Sequence, residues 1–167
     1  MSEQVRALRA KLQTEMPVAQ HLGIRVVGQH DGQLVLGAPL AANTNHQGTA
    51  FAGSLNAIAT LTGWATVWLL VRSQNPRAHV VIQDSAVRYL RPVTSDFQAR
   101  ATLPDARAVT RLLEAVRRRG RGRIEIEVAV SDAEGDAVAF RGRYVAVIDK
   151  VDAVSGALPQ SLRVHRP

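Results

Sequence analysis

Cysteine is absent from the 167 residues, which excludes disulfide frameworks, cysteine-ligated zinc, iron–sulfur clusters and thiol nucleophiles. Aromatic side chains are few, with three Phe, two Trp and two Tyr, too sparse for the interleaved base-stacking surface that nucleic-acid binding uses. The N-terminal stretch from Met1 to Glu15 mixes charges with Val5, Leu8 and Leu12 and has no continuous apolar run. It therefore does not read as a secretory signal, and the expected location is cytoplasmic. The five histidines, His21, His30, His46, His79 and His165, lack metal-ligand spacing, so no metal is expected. No phosphate-binding loop or GxGxxG pattern is found, and no organic cofactor is expected. Between Gly32 and Val71 there is no charged Asp, Glu, Lys or Arg in 40 residues, which marks that stretch as the centre of the fold.

What is present is ordinary for one folded domain. Apolar residues make up 46% and charged residues 21%, too apolar for disorder, and the length suits a core that needs no staples. The net charge of +7 fits phosphate-bearing partners or simply a soluble surface. Phe51 to Val71 is long enough to span a bilayer. Gly53, Ser54, Asn56, Thr60, Thr62, Gly63 and Thr66 dilute it, and a helix apolar all round belongs in a core, so no membrane is expected.

On either side the pattern reads as strands. Ile24 to His30 and Gln33 to Pro39 flank Asp31-Gly32, a hairpin turn signal. His79 to Arg91 and Phe97 to Leu103 are β-rich. Ile124, Ile126, Val128 and Val130 alternate with smaller or charged residues, the period of a half-buried strand, and Val138 to Ile148 follows a turn. Asp105 can cap a short helix with Val109, Leu112, Leu113 and Val116 on one face. The predicted order is an N-terminal helix (1–16), an α+β domain (17–150) whose largely antiparallel sheet curls around one long central helix, and a basic, poorly ordered tail (151–167).

Chemistry concentrates in Asn43 to Asn56, where polar and glycine residues precede the central helix. A helix N-terminus carries unsatisfied N–H donors and partial positive charge. Aimed into a cleft, these donors can hold an anion or polarise a carbonyl oxygen. Gly53 would let a ligand approach the backbone, and Asn45 and His46 could orient water or ligand. The same residues also suit a plain cap and turn, with His46 bonding locally.

Asn45 and the run Gly48-Thr49-Ala50-Phe51-Ala52-Gly53-Ser54-Leu55, leading into an uncharged helix, resemble the central signature of hotdog-fold acyl-thioester enzymes. Asp84 to Pro92 resembles the strand after that helix. The likeness is greatest to the thioesterase domain found behind an N-acetyltransferase domain in some bacterial proteins, whose Leu-x-Gly-Trp helix is matched by Leu61-Thr62-Gly63-Trp64. It covers Pro17 to Ile148, without the acetyltransferase portion, so acetyl transfer is not expected. The resemblance implies a hotdog fold and a homodimer or dimer of dimers with sites at the subunit interface. It also implies a substrate channel beside the helix start, where the Gly53 N–H meets a thioester carbonyl. His46, Gly48, Phe51, Ser54, Asn56 and Ser85 are then the expected substrate-binding residues.

The chain departs from that pattern at one point. Many relatives carry an acid two turns into the helix; here Thr60 stands there, and a Thr hydroxyl is a poor base, although it can position water. Asp84 is the expected substitute base, because an extended strand puts it on one face with Val80, Ile82, Ala86 and Leu90, and burial among apolar groups strengthens a carboxylate as a base. The alternatives are an ion pair with Arg141 or Arg143, or a solvent-facing position on a bulged strand. Ser85, facing the other way, is expected to hydrogen-bond and not to attack.

Arg117 to Arg123 holds five arginines in seven residues, suited to phosphate or, more simply, to a solvated helix end. The expected activity is hydrolysis of an acyl thioester of coenzyme A or acyl-carrier protein, with Asn45, Gly53, Thr60 and Asp84 in catalysis and coenzyme A only as part of substrate or product. The alternatives are a non-catalytic acyl-thioester binding module and a basic nucleic-acid-binding protein.

Overall fold

The computed structural model describes residues 2–30 and 33–148. The expected Asp31-Gly32 turn and the tail after Lys150 lie outside the described residues. Helix α1 (Glu3–Glu15) starts where the Ser2 hydroxyl accepts a hydrogen bond from the Val5 N–H, 3.3 Å. It buries Val5, Leu8 and Leu12, a stripe at helical spacing. A second short helix, α2 (Pro17–His21), follows with proline in its first turn, a position where the missing N–H costs nothing.

Six strands, β1 (Arg25–His30), β2 (Gln33–Ala38), β3 (Ala78–Tyr89), β4 (Phe97–Ala101), β5 (Arg121–Asp132) and β6 (Gly135–Ile148), form one sheet in the order β1-β2-β4-β5-β6-β3. Every neighbouring pair is antiparallel. The sheet wraps helix α3 (Ala52–Arg72), which touches β2 through β6. This is the α+β arrangement expected from the pattern of elements, and the hotdog fold that the resemblance implies. Helix α3 is long and apolar enough to cross a membrane by composition alone, but here it is the core helix. Its buried threonines are satisfied within the helix: the Thr62 and Thr66 hydroxyls donate to the carbonyls of Ile58 and Thr62 at 2.7 and 2.9 Å.

Alternation in β5 places Ile124, Ile126, Val128 and Val130 in the core. From β6, Tyr144 reaches α3, and its hydroxyl donates to the Thr60 carbonyl at 2.8 Å. Gly63 makes that approach possible, since a Cβ there would stand 2.3 Å from the Tyr144 oxygen. Helix α4 (Ala106–Arg119) begins at Asp105, whose carboxylate accepts from the Ala108 N–H at 2.7 Å, and ends at Gly120 with φ 70°, as left-handed helix caps favour glycine. The arginine cluster lies at this helix end and at the start of β5, where Arg117, Arg118 and Arg119 complement the helix dipole.

One irregularity decides the site. The β3–β6 register shifts between Ile82 and Asp84: Ile82 faces Tyr144, whereas Asp84 faces Arg143 and Ser85 faces Gly142. Residues directly opposite in an antiparallel ladder point to the same side. The bulge therefore turns Asp84 away from α3 and turns Ser85 toward it.

Candidate functional site

The segment before α3 is a tied loop. Thr44 and Ala50 form an isolated bridge, and Gly48 turns with φ 79°, a conformation other residues rarely adopt. Asn45 organises this turn. Its Oδ1 accepts from the Gln47 and Thr49 N–H groups at 2.8 and 3.2 Å, and its Nδ2 donates to Thr49 Oγ1 at 2.9 Å. The side chain expected to hold water or substrate thus spends its hydrogen bonds on the loop. His46 is exposed beside it. Asn43, buried, donates to the Leu22 and Pro39 carbonyls at 2.9 and 2.7 Å, anchoring the loop to the end of α2.

The loop is also held from the β3–β4 connection. Ala50 N–H donates to the Val93 carbonyl at 2.9 Å, and Leu40 N–H donates to Asp96 Oδ1 at 2.9 Å. That connection is clamped in turn by Arg91 and the fully covered Asp132, which pair through Arg91 Nη2. Asp132 also accepts from the Thr94 and Glu134 N–H groups at 3.2 and 3.0 Å. The hydrogen bond from Arg91 is the largest cause holding the Asp132 carboxyl down at about 2. The two residues are 41 positions apart, with no local pattern in the sequence to announce the pair.

Helix α3 opens at Phe51, with no side-chain cap. The first helical bond runs from Leu55 N–H to the Phe51 carbonyl, 3.1 Å, so the N–H groups of Ala52, Gly53 and Ser54 precede the ladder. Gly53 is exposed and Ser54 buried. The space left by the missing Gly53 side chain is occupied by the chain itself. A Cβ there would lie 2.3 Å from Phe51 Cε1, so the glycine accommodates that ring, which is 56% exposed. Tyr89, from β3, donates to the Ala52 carbonyl at 3.0 Å and fixes the helix start to the sheet; it was not among the expected site residues.

Beside this helix start lies an apolar cleft of about 500 Å³. Ala57, Thr60, Leu61 and Trp64 of α3 form one wall, Val80, Val81 and Ile82 of β3 another, and Met16, Val18, Leu22 and Ile24 a third, with Tyr144 completing the lining. Burial pushes the Tyr144 hydroxyl well above its ordinary range, so it stays a neutral hydrogen-bond donor. Gly53, Asn56, Ala57 and Thr60 recur at helical spacing, so the uncapped first turn and the cleft share one stripe of α3. Thr60 is half-buried in the wall. Asn56, half-buried one turn from Gly53, leaves its Oδ1 buried with no hydrogen-bond partner among the described residues.

Asp84 is elsewhere, and the expectation that it shares a face with Val80 and Ile82 is corrected by the bulge. Its side chain is 55% exposed and pairs with Arg143 at 3.2 Å, while Arg143 also donates to Glu125 Oε1 at 3.0 Å. Glu125 first, and then Asp84, push the Arg143 guanidinium further up. Both alternatives are observed together: Asp84 pairs with Arg143 and stands solvent-facing on a bulged strand, on the sheet face away from α3. Among the described residues no Asp or Glu lines the cleft. Among the described residues no group of three or more His, Asp or Glu could hold a metal.

Comparison with known proteins points the same way. The family described as "Putative thioesterase (yiiD_Cterm)" matches residues 5–148. A crystal structure of a putative thioesterase from Shewanella oneidensis shares 34% identity, covering 88% of this chain and 99% of that one, with a TM-score of 0.78. A Chlorobaculum tepidum protein of unknown function shares 25% identity over 87% of this chain and 94% of its own, TM-score 0.81. A Pseudomonas aeruginosa protein described as a "Probable Thioesterase" shares 25% identity over 85% and 94%, TM-score 0.73.

Proposed function

This chain belongs to the YiiD_C thioesterase family, whose domain is found C-terminal to acetyltransferases, and on that premise we propose that it hydrolyses an acyl thioester of coenzyme A or acyl-carrier protein to a carboxylic acid and a free thiol. The observation that carries this reading is the shared stripe of α3. Uncapped N–H donors stand at one end of it, and the apolar cleft begins one turn later.

In this mechanism the thioester carbonyl accepts a hydrogen bond from the Gly53 N–H, at the positive end of the α3 dipole, with its acyl tail in the cleft. Water adds to the carbonyl carbon, and the developing oxyanion is stabilised by donors already in place. The carbon–sulfur bond then breaks, and the departing thiolate takes up the proton that the attacking water gives up. A thiol with an ordinary pKa of about 8.5 leaves without strong acid assistance. The Thr60 hydroxyl, in the wall of the cleft, positions the water. Asn45, Gly48 and Phe51 shape the loop that presents these donors, with His46 exposed on it, and Ser85 faces the α3 side of the sheet from β3.

The assembly in this reading is a homodimer or a dimer of such dimers. Strand β3 is a sheet edge of 12 residues bearing exposed Val81, Ile82 and Tyr89, with exposed Leu90 just past its end, and an open apolar edge of that length favours pairing with a second copy. Its setting is the cytoplasm.

A second reading, a module that binds acyl thioesters without hydrolysing them, is favoured by the lack of a carboxylate in α3 and, among the described residues, in the cleft lining. Thiol release from acyl-CoAs and acyl-carrier proteins, followed beside direct binding, separates the two. Hydrolysis supports the enzyme; tight binding with no thiol release supports the module and refutes the proposal.

A further inference from the structure

We propose that Trp64 is the residue that sets the longest acyl chain this protein accepts; the inference rests on the thioesterase reading for its substrate and goes beyond it in naming the determinant of chain length. The α3 wall of the cleft consists of Ala57, Thr60, Leu61 and Trp64, the i, i+3, i+4, i+7 positions of one helix face. The next residue on that face is Trp68. It does not line the cleft; it is buried behind Trp64, with ring centroids 6.0 Å apart and planes inclined by 24°. The cleft therefore ends at the Trp64 indole.

That indole is held, not loosely parked. Its Nε1–H donates to the Val80 carbonyl on the facing strand at 3.0 Å, which spans the cleft from one wall to the other. The supporting Trp68 ring lies under the Arg72 guanidinium, 4.7 Å from its centroid, a favourable cation–π geometry. A hydrogen bond in front and a stacked ring behind leave the indole no room to swing aside for a longer tail. Gly53 and Trp64 are 11 positions apart, so a helix rise of 1.5 Å per residue gives a tail about 16 Å of wall before it meets the stop.

The test measures kcat/KM of the full chain on straight-chain acyl-CoAs of increasing length. For the wild type, the value is expected to rise about fourfold per added methylene and then to fall by about tenfold once the tail presses on Trp64. In Trp64→Ala the maximum moves to longer chains. In Ala57→Phe, which fills the same groove nearer its mouth, it moves to shorter ones. Trp64→Leu, which keeps an apolar side chain, answers the question if Trp64→Ala does not fold. An unchanged length profile in the folded variants overturns the inference. If the wild type hydrolyses no thioester of any length, the hydrolase reading fails, and calorimetric binding of non-hydrolysable S-(2-oxoalkyl)-CoA analogues decides this proposal alone. Affinity that grows to a length limit, with the limit shifted by the variants, supports it; a limit they do not shift overturns it.

Discussion

Replacing Gly53 by proline removes one N–H from the start of α3 while leaving the helix able to form. Gly53 is the second helical residue, ahead of the first intrahelical bond from Leu55 to Phe51, and proline is tolerated in a first turn because that N–H has no partner within the helix. The proper reference is Gly53→Ala, since either substitution brings a Cβ to within 2.3 Å of Phe51 Cε1 and the exposed ring can swing toward solvent. The two variants thus share the added Cβ, and only proline removes the donor. Loss of one oxyanion donor lowers kcat by about 10²–10³, or roughly 2.7–4 kcal/mol. Gly53→Ala should stay within about tenfold of wild type, because it keeps the N–H and only crowds the site. Steady-state thiol release gives kcat, and urea unfolding of both variants shows that the fold survives. Equal kcat for the folded proline and alanine variants would refute polarisation by this N–H.

Other perturbations test the supporting structure. Gly63→Ala should destabilise by about 1–3 kcal/mol through overpacking against Tyr144, and Tyr144→Phe in the same chain should recover part of the loss, because the hydroxyl is the nearest atom to the new Cβ; urea midpoints measure both. Asp132 is held at about 2, below its unfolded value, so its stabilisation is complete above about pH 4 and lost as pH falls toward 2. The shift alone corresponds to about 2.5 kcal/mol, reduced to about 1 kcal/mol by solvent screening around Arg91. Unfolding free energies of wild type and Asp132→Asn should accordingly differ near pH 5 and converge as pH drops toward 2; a gap that does not narrow with acid would exclude the pair as its source. Asp84→Asn should leave kcat within about twofold, whereas removal of a true general base costs about 10²–10⁴, so a loss of that size would restore Asp84 to the chemistry.

Much of the architecture was readable because it follows from periodicity. The uncharged run from Phe51 to Val71 anticipated α3 (Ala52–Arg72) nearly to the residue, and the alternation of Ile124 to Val130 anticipated the inner face of β5. The Gly48 to Leu55 resemblance also anticipated a loop leading into α3, beside which the structure has an apolar cleft. Asp84 was misplaced for a definite reason: alternation propagates a face along a strand only while the register holds, and neither glycine nor proline marks the bulge after Ile82. Gly53 was read as an opening for a ligand, but Phe51, two residues earlier, takes the space, a contact that depends on a rotamer and not on spacing. The Tyr144–Gly63 and Arg91–Asp132 contacts join distant segments, and such pairings become visible only when the sheet closes around its helix.

The most direct measurement is a crystal structure of the protein with a ketone analogue of an acyl-CoA, in which a methylene stands between sulfur and carbonyl. The account predicts the analogue's carbonyl oxygen within hydrogen-bond distance of the Gly53 nitrogen and its tail along Ala57, Thr60 and Leu61 toward Trp64. An analogue bound with its carbonyl away from the first turn of α3, or with the Phe51 ring closed over that turn and the cleft empty, would contradict it.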